Sequence, residues 1–590
     1  MDKSRRYFLD LSVGVVISTG LSRLSFGTEE KLGTGEFLHG VASGDPLVDK
    51  VIIWTRVTPQ KTPASVRIVY EVSLFDNFSQ LIQTGLVVAL KDNDYTVKVD
   101  LQELEAGTRY YYRFRAANNS SMVGRTSTLP KETNNTTLAV FSCANYTCGF
   151  FNAYRDACKF KDKIDVVVHL GDYIYEYGMT EKNGEPAYGT KNAKKIGRVL
   201  PKSNDKKLNS LGDFRRRYAL YKRDTDLQDL HQLFPFICIW DDHEVIDNAY
   251  NTGAEQSKLT APKYRELKHA AVKAYYEWLP IRPPFGAVSE KIYRSFHFGE
   301  LFSLYMLDTR LLNRTQQLNY NDYFNAKGDF DEASYLQGIN SSKREMLGNE
   351  QLKWLEEELQ NSQSKWQFIA QQVKVSKSLV PLEIIALANR YKNTAEQIEK
   401  EKIKQKIVNV FYETSRIKAR MILKDANLTS DEKNRLNHML PYNLDAWDGY
   451  PDEREKLYIV LKEINKATVV LSGDAHYSWA NSLINKTNNT LGLELGVTSV
   501  TSPGIEEDYD IDDPELLRQL EDSTQVFDKN SIYSNYSDRG YLIIEINNEE
   551  VKAHWRYINT ILSREHSIKN ERSQLLRVGY KNGRYYWSDK

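Results

Sequence analysis

Four short segments constrain this chain more than anything else in its 590 residues: Phe141-Ser142-Cys143, Gly171-Asp172-Tyr173-Ile174-Tyr175, Asp241-Asp242-His243-Glu244 and Gly473-Asp474-Ala475-His476. Each follows a short apolar, β-like run, and each places metal-ligand side chains just past the end of that run. Strands are predicted at 138–141, 164–170, 236–240, 301–307, 366–373 and 468–471, with helical patterns between them, such as 350–358 and 452–464. Strands alternating with helices, and polar residues collected at the strand C-termini, are how α/β folds build sites. An antiparallel pair is expected at 540–546 and 551–557.

The segment before these motifs reads differently. Residues 66–73 alternate, with Val66, Ile68, Tyr70 and Val72 on one face, and 109–116 alternate again after the turn signal Glu105-Ala106-Gly107. Short strands at this spacing predict a β-sandwich over 36–130 that looks like a fibronectin-III-like module. A polar linker covers 131–137. The stretch 382–437, rich in Lys, Glu, Arg, Ile and Ala, reads as a helical insertion, a candidate lid. Residues 561–590 read as a polar, aromatic-tipped tail. At the N-terminus, Ser4-Arg5-Arg6-Tyr7-Phe8-Leu9 precedes a modest apolar stretch, so 1–29 resembles a Tat-type export signal and predicts a periplasmic or extracellular enzyme that meets the Tat translocase. No later stretch reaches membrane-spanning length without charge, so an integral membrane protein is not expected.

The charges cancel, with 79 Lys and Arg against 79 Asp and Glu, which argues against a polybasic nucleic-acid binder. Four cysteines are too few for a disulfide scaffold of this length, although pairing of Cys143 with Cys148 stays open.

The motifs divide into two donor sets. Cys143, Asp172, Tyr175 and His476 offer thiolate, carboxylate, phenolate and imidazole. A phenol has a pKa of about 10, and only a strongly Lewis-acidic ion ionises it cheaply at neutral pH, which favours Fe³⁺ and leaves Zn²⁺ open. Asp172 as a bridge, Asp242, Asp474 and the amide oxygen of Gln372 offer oxygen only, which selects Ca²⁺ or Mg²⁺. Two adjacent ions acidify a water and clamp phosphate oxygens for in-line attack. His243 is the candidate acid or hydrogen-bond donor at the leaving oxygen, and Arg310 the candidate phosphate grip. Asp241 is read as orienting its neighbours. His169, His231, His269 and His297 are read as structural.

With these residues in place, the chain resembles the calcineurin-like metallophosphoesterases and, within them, the PhoD-type alkaline phosphatases. Further matching pieces are His39-Gly40-Val41-Ala42-Ser43-Gly44-Asp45-Pro46, Leu307-Asp308-Thr309-Arg310, Gln371-Gln372-Val373 and Asp445-Ala446-Trp447-Asp448-Gly449-Tyr450-Pro451. Cys143 in the first motif, Asp242 in place of Asn and Asp474 in place of His depart from the superfamily pattern and are shared by PhoD-type proteins. The resemblance implies a four-layer αββα catalytic domain over 136–560, Fe³⁺ and Ca²⁺, and hydrolysis of phosphate monoesters or diesters at alkaline pH outside the cytoplasm. The alternatives are a phospholipase D-like diester hydrolase and a catalytically inactive binding protein. The sequence carries no signal for oligomeric state.

Overall fold

The computed structural model describes residues 15–18, 31–181, 184–255, 257–284, 289–511 and 513–588. The Tat-type segment expected over 1–29 lies outside the described residues, apart from Val15–Ser18, a short strand beside Thr96–Leu101.

Two sheets form the centre. In the first, the parallel strands Pro235–Cys238, Val166–His169 and Asn135–Phe141 lie side by side, followed by antiparallel Arg539–Asn547 and Glu550–Ile558. In the second, Phe302–Met306, Trp366–Ala370, Ala467–Ser472 and Thr490–Gly496 are parallel. Parallel strands covered on both faces read as continuous apolar runs, as Val166-Val167-Val168 does. The side-chain period of two sorts these residues into layers. Trp366, Phe368 and Ala370 share a core with Leu138, Val140 and Ile544 of the first sheet. Ile369 points the other way, to Leu355 and Leu359 of helix Gly348–Asn361 and Leu457 of helix Pro451–Ile464. With helices such as Leu211–Tyr221 and Ala261–Trp278 outside the first sheet, the domain is an α/β protein of αββα layering.

The N-terminal module packs the four-stranded sheet Leu81–Leu90, Ser65–Ser73, Arg109–Arg115, Gly124–Ser127 against Val41–Gly44, Val51–Arg56 and Thr96–Leu101. Ile68, Val72, Tyr112 and Phe114 meet Val51, Ile53 and Val99 between the two sheets. The second of these sheets does not end with the module. Gly44 pairs in parallel with Phe236, so it runs on into the central sheet. A Cβ on Gly44 would lie 2.6 Å from the Phe236 carbonyl oxygen, which is why only glycine serves at the junction.

The tail differs from expectation. Gln574–Lys581 and Arg584–Ser588 form a hairpin that extends the first sheet beyond Glu550–Ile558. Its two-residue loop, Asn582-Gly583, has φ of 52° and 73°, the geometry an Asn-Gly turn favours, and Leu576 and Val578 are buried. The insertion is helical, as Leu382–Asn393, Gln397–Ile422 and Ser430–Asn437, and its neck is closed by the antiparallel pair Leu379–Pro381 and Met439–Pro441. All four cysteines are free thiols, so Cys143 and Cys148 do not pair. No helix among the described residues is long and apolar enough to cross a membrane.

Candidate metal centre

The motifs meet where the two central sheets present their strand C-termini to each other. Cys143, Asp172, Asp474 and His476 all take left-handed backbone, with φ of 60°, 54°, 62° and 59°. Such a conformation costs a non-glycine residue about 1–2 kcal/mol and persists only where the surroundings impose it. Here the turns are tied together: Cys143 N–H donates to the Gly171 carbonyl at 3.2 Å, and Gly473 N–H to the Gln372 carbonyl at 2.6 Å. The buried Glu244 carboxylate accepts from the N–H groups of Asp172 (2.9 Å), Tyr173 (2.6 Å) and Asp241 (2.7 Å), which locks two strand ends in register. Gly171 has φ of 106°, and a Cβ there would collide with Asp241 at 2.4 Å, so the close approach of these strand ends needs glycine.

The donor atoms fall into overlapping groups within 4.8 Å: Cys143 with Asp172 and His476, Asp172 with Asp242 and His243, and Asp241 with Asp242 and Asp474. Asp172 belongs to two of them. The Tyr175 hydroxyl joins the first group, 2.9 Å from Asp172 Oδ2 and 3.1 Å from His476 Nε2, and Ser502 Oγ donates to it at 2.7 Å. His476 Nδ1 donates to the Pro503 carbonyl at 2.6 Å, which leaves the Nε2 lone pair directed at the group. Burial lowers the His476 pKa to about 3, so the ring is neutral and able to ligate. Burial, reinforced by Asp172, pushes the Cys143 thiol and the Tyr175 phenol well above their usual values.

The acidic side of the centre is built differently. Arg310, fully buried, reaches Asp241 through Nε, Asp445 through Nη1 at 2.7 Å and Asp474 through Nη2 at 2.6 Å. Burial disfavours charge on Asp242, but Arg310 and His243 outweigh it and bring the pKa to about 2. Asp474 is pushed up to about 6 by burial, against the pull of Arg310. One oxygen each of Asp241 and Asp242 is buried without a hydrogen-bond partner. A cation would satisfy these orphaned oxygens, and the thiol and phenol opposite could ligate one on losing their protons, so the residues present suit metal binding.

Two sequence expectations change here. Arg310 does not grip phosphate: enclosed by carboxylates and shut off from solvent, it neutralises the acidic wall and holds it in place. The Gln372 amide is spent on the main chain. Its nitrogen donates to the carbonyls of Trp240 (2.7 Å) and Leu307 (3.0 Å), and its oxygen accepts from Thr309 N–H at 3.0 Å and from the Thr309 hydroxyl. It ties three strand ends together rather than presenting a ligand oxygen.

His243 borders the cleft with Nδ1 bonded to Glu176 Oε2 at 2.8 Å and its ring centroid 4.2 Å from that of Tyr175. Burial opposes charge on the imidazole, yet Asp242, Asp172 and Glu176 outweigh it and raise the pKa well above its usual value. Glu176, Glu244, Asp445 and Ser502 are given no role by the sequence reading, although Glu244 and Asp445 stand within motifs it quotes. Glu244 sits inside the Asp241-Asp242-His243-Glu244 motif, and Glu176 directly follows Tyr175, but nothing local tells a carboxylate that orients a neighbour from one on the surface. The cleft above the centre has a volume of about 640 Å³. Its walls include Tyr177, Tyr188, Asn319 and Tyr442, with Asn389 and Lys392 from the insertion.

The family described as PhoD-like phosphatase matches residues 138–555, and PhoD-like phosphatase, N-terminal domain, matches 23–130. Alkaline phosphatase D of Bacillus subtilis (strain 168) is 30% identical over 565 residues, covering 92% of this chain and 82% of the relative. A solved structure of PhoD superposes with a TM-score of 0.69 at 28% identity, covering 95% of this chain and 94% of that one. With both family models matched and the similarity to these relatives running over nearly the whole length, the chain belongs to the PhoD-like phosphatase family and is a phosphoric ester hydrolase.

Proposed function

We propose that the chain is an exported binuclear metallophosphoesterase that hydrolyses phosphate monoesters, diesters or both at alkaline pH. Fe³⁺ would lie among Cys143, Asp172, Tyr175 and His476. Ca²⁺ would lie among Asp172, Asp242 and Asp474, with Zn²⁺ and Mg²⁺ as second choices. The observation that carries this reading is the overlap of the donor groups: Asp172 lies with Cys143, His476 and the Tyr175 hydroxyl in one and with Asp242 and His243 in another, and Asp242 joins Asp241 and Asp474 in a third made of carboxylates alone. When bound, the two cations supply Lewis acidity, acidifying a water and neutralising phosphate oxygens for in-line displacement.

The remaining chemistry belongs to the chain. A cleft edged by Asp172, Asp242, Asp247, Asp445 and Asp474 repels a phosphate ester until cations are in place, which makes admission of substrate depend on loading. Glu176 takes the Nδ1–H of His243, so Nε2 is left to present a proton toward the leaving-group oxygen. Asn389 and Lys392 of the insertion border the cleft, and this wall is proposed to limit the bulk of the ester admitted.

Elemental analysis and a visible spectrum of the purified protein, followed by ester hydrolysis, test the reading. Iron with calcium and a charge-transfer band are expected. Zinc without colour would remove Tyr175 from the ligand set, and absence of both metal uptake and turnover would sink the assignment. Substituting His243→Ala should keep both metals and lose turnover by roughly 10²–10⁴-fold; loss of metal would reassign it as a ligand. Export through the Tat translocase predicts that Arg5→Lys with Arg6→Lys retains the protein inside the cell, and normal export of that variant would remove the route.

A further inference from the structure

We propose that the tip of the helical insertion docks onto an anionic lipid bilayer surface. This goes beyond the phosphoester chemistry and does not rest on it. Helix Gln397–Ile422 has 26 residues, about 39 Å of length at 1.5 Å per residue. It buries Ile403, Ile407, Val410 and Ile417 along one face and packs on helix Pro514–Phe527. Its end carries three consecutive apolar residues turned to solvent, Met421, Ile422 and Leu423, which are 51%, 64% and 80% exposed. Lys424 then reverses the chain with φ of 57°, so the three stand out as a wedge rather than continuing into the core. A contiguous apolar projection of this kind is costly in water and marks an interaction site.

The charges around the wedge identify the partner. Arg416 and Lys418 lie in the last turns of the helix before the wedge, Lys424 directly follows it and Lys433 lies on the next helix, and among the described residues no carboxylate forms an ion pair with any of them. The nearby acids are largely committed elsewhere: Asp425 and Glu432 to Arg420, and Glu413 to Arg435. The remaining one, Asp431, sits in the first turn of helix Ser430–Asn437, where the helix dipole favours it. An apolar wedge flanked along the chain by unpaired cations matches the boundary of a bilayer that bears negative headgroups, where side chains insert and each base adds attraction. The same insertion supplies Asn389 and Lys392 to the cleft, near the other end of this helix, so docking would tether the cleft to the lipid surface through the length of the helix.

Flotation of the full-length protein with vesicles decides the matter. The protein should float with vesicles of phosphatidylcholine mixed with phosphatidylglycerol and should be left behind by phosphatidylcholine alone. Ile422→Asp combined with Leu423→Asp should weaken flotation at least about tenfold. Arg416→Gln with Lys424→Gln should weaken it at least about tenfold and flatten its salt dependence. Turnover of a small soluble phosphate ester should be unchanged in all of these variants, showing that they fold. Met421→Trp should shift its fluorescence to the blue on the anionic vesicles, an independent check of insertion. Absence of flotation with the anionic vesicles would overturn the proposal, as would flotation insensitive to the Asp pair. So would conversion of a dimer to a monomer by that pair, which would give the tip to a second copy of this chain.

Discussion

The two halves of the candidate metal centre share Asp172 and differ in how their charge is balanced. On one side, the donor atoms of Cys143, Tyr175 and His476 meet hydroxyl and main-chain groups, Asp172 and one another, and among the described residues no arginine or lysine is bonded to those side-chain atoms; Arg217 reaches only the Tyr175 main-chain carbonyl. On the other, Asp241 and Asp474 share the buried guanidinium of Arg310, which lies 3.8 Å from Asp242. Burial penalises charge in both halves, but only one has a built-in counter-charge. The thiol and phenol of the first half therefore stay protonated until a cation arrives, whereas in the second Asp242 is anionic in advance, although burial pushes Asp241 and Asp474 up against the pull of Arg310. The chain has prepared one demanding site, whose filling must expel protons, and one ready site for a hard ion.

The largest test of this contrast is Cys143→Ala. Removing the only soft donor of the first half should abolish its metal and lower ester hydrolysis by roughly 10³-fold, as ligand loss exceeds the 10–100-fold typical of outer partners. Retention of iron by the variant, measured by elemental analysis, would break the comparison. Next comes Arg310→Ala, read by thermal or denaturant unfolding of the metal-free protein. Leaving fully buried carboxylates without their partner should cost about 3–5 kcal/mol, and added Ca²⁺ should recover part of that loss. A destabilisation that Ca²⁺ leaves untouched would show that the guanidinium does not stand in for cationic charge.

A smaller effect is expected of Glu176→Gln. Turnover should fall about 10–100-fold with both metals retained, because the amide can present its nitrogen to Nδ1 and undo the orientation of His243. Glu176→Asp should recover part of it. The pH dependence of loading sharpens the contrast further. The thiol of Cys143 and the phenol of Tyr175 are held above their usual values, so their protons must leave as metal enters. Affinity at the first half should then rise about tenfold per pH unit for each proton expelled, through the neutral and alkaline range. With the first half filled, Ca²⁺ affinity should level off above pH about 6, since Asp242 titrates at about 2 and Asp474 at about 6. Chelator competition at several pH values measures both slopes, and parallel slopes would remove the distinction. The smallest effect concerns the cleft wall: Asn389→Ala with Lys392→Ala should raise kcat/KM for a bulky diester a few-fold more than for a small monoester.

Much of this molecule is legible in local pattern. The alternation of Val66, Ile68, Tyr70 and Val72 and the apolar run Val166-Val167-Val168 define strands without reference to anything distant, because the side-chain period is set by the backbone. The ligand-bearing turns are legible for the same reason, as each directly follows such a run. The hairpin of the tail was legible too: Asn582-Gly583 between alternating residues is a strong turn signal, hidden by the polar composition around it. Gln372 and Arg310 were misread because hydrogen-bond commitments are invisible along the chain. An amide beside a strand end looks like a ligand until Trp240, Leu307 and Thr309 are seen to use it.

The sequence by itself determined which residues form strands, which turns carry thiol, carboxylate, phenol and imidazole, and hence that a metal-dependent chemistry was in reach, since these follow from short-range periodicity and side-chain chemistry. Tertiary structure decided that Arg310 is a counter-charge, that Glu176 orients His243 and that the module's sheet runs on through Gly44 into the central one. These depend on distances between residues far apart in the chain, and the low-dielectric interior that makes those distances energetically decisive exists only once the sheets have packed.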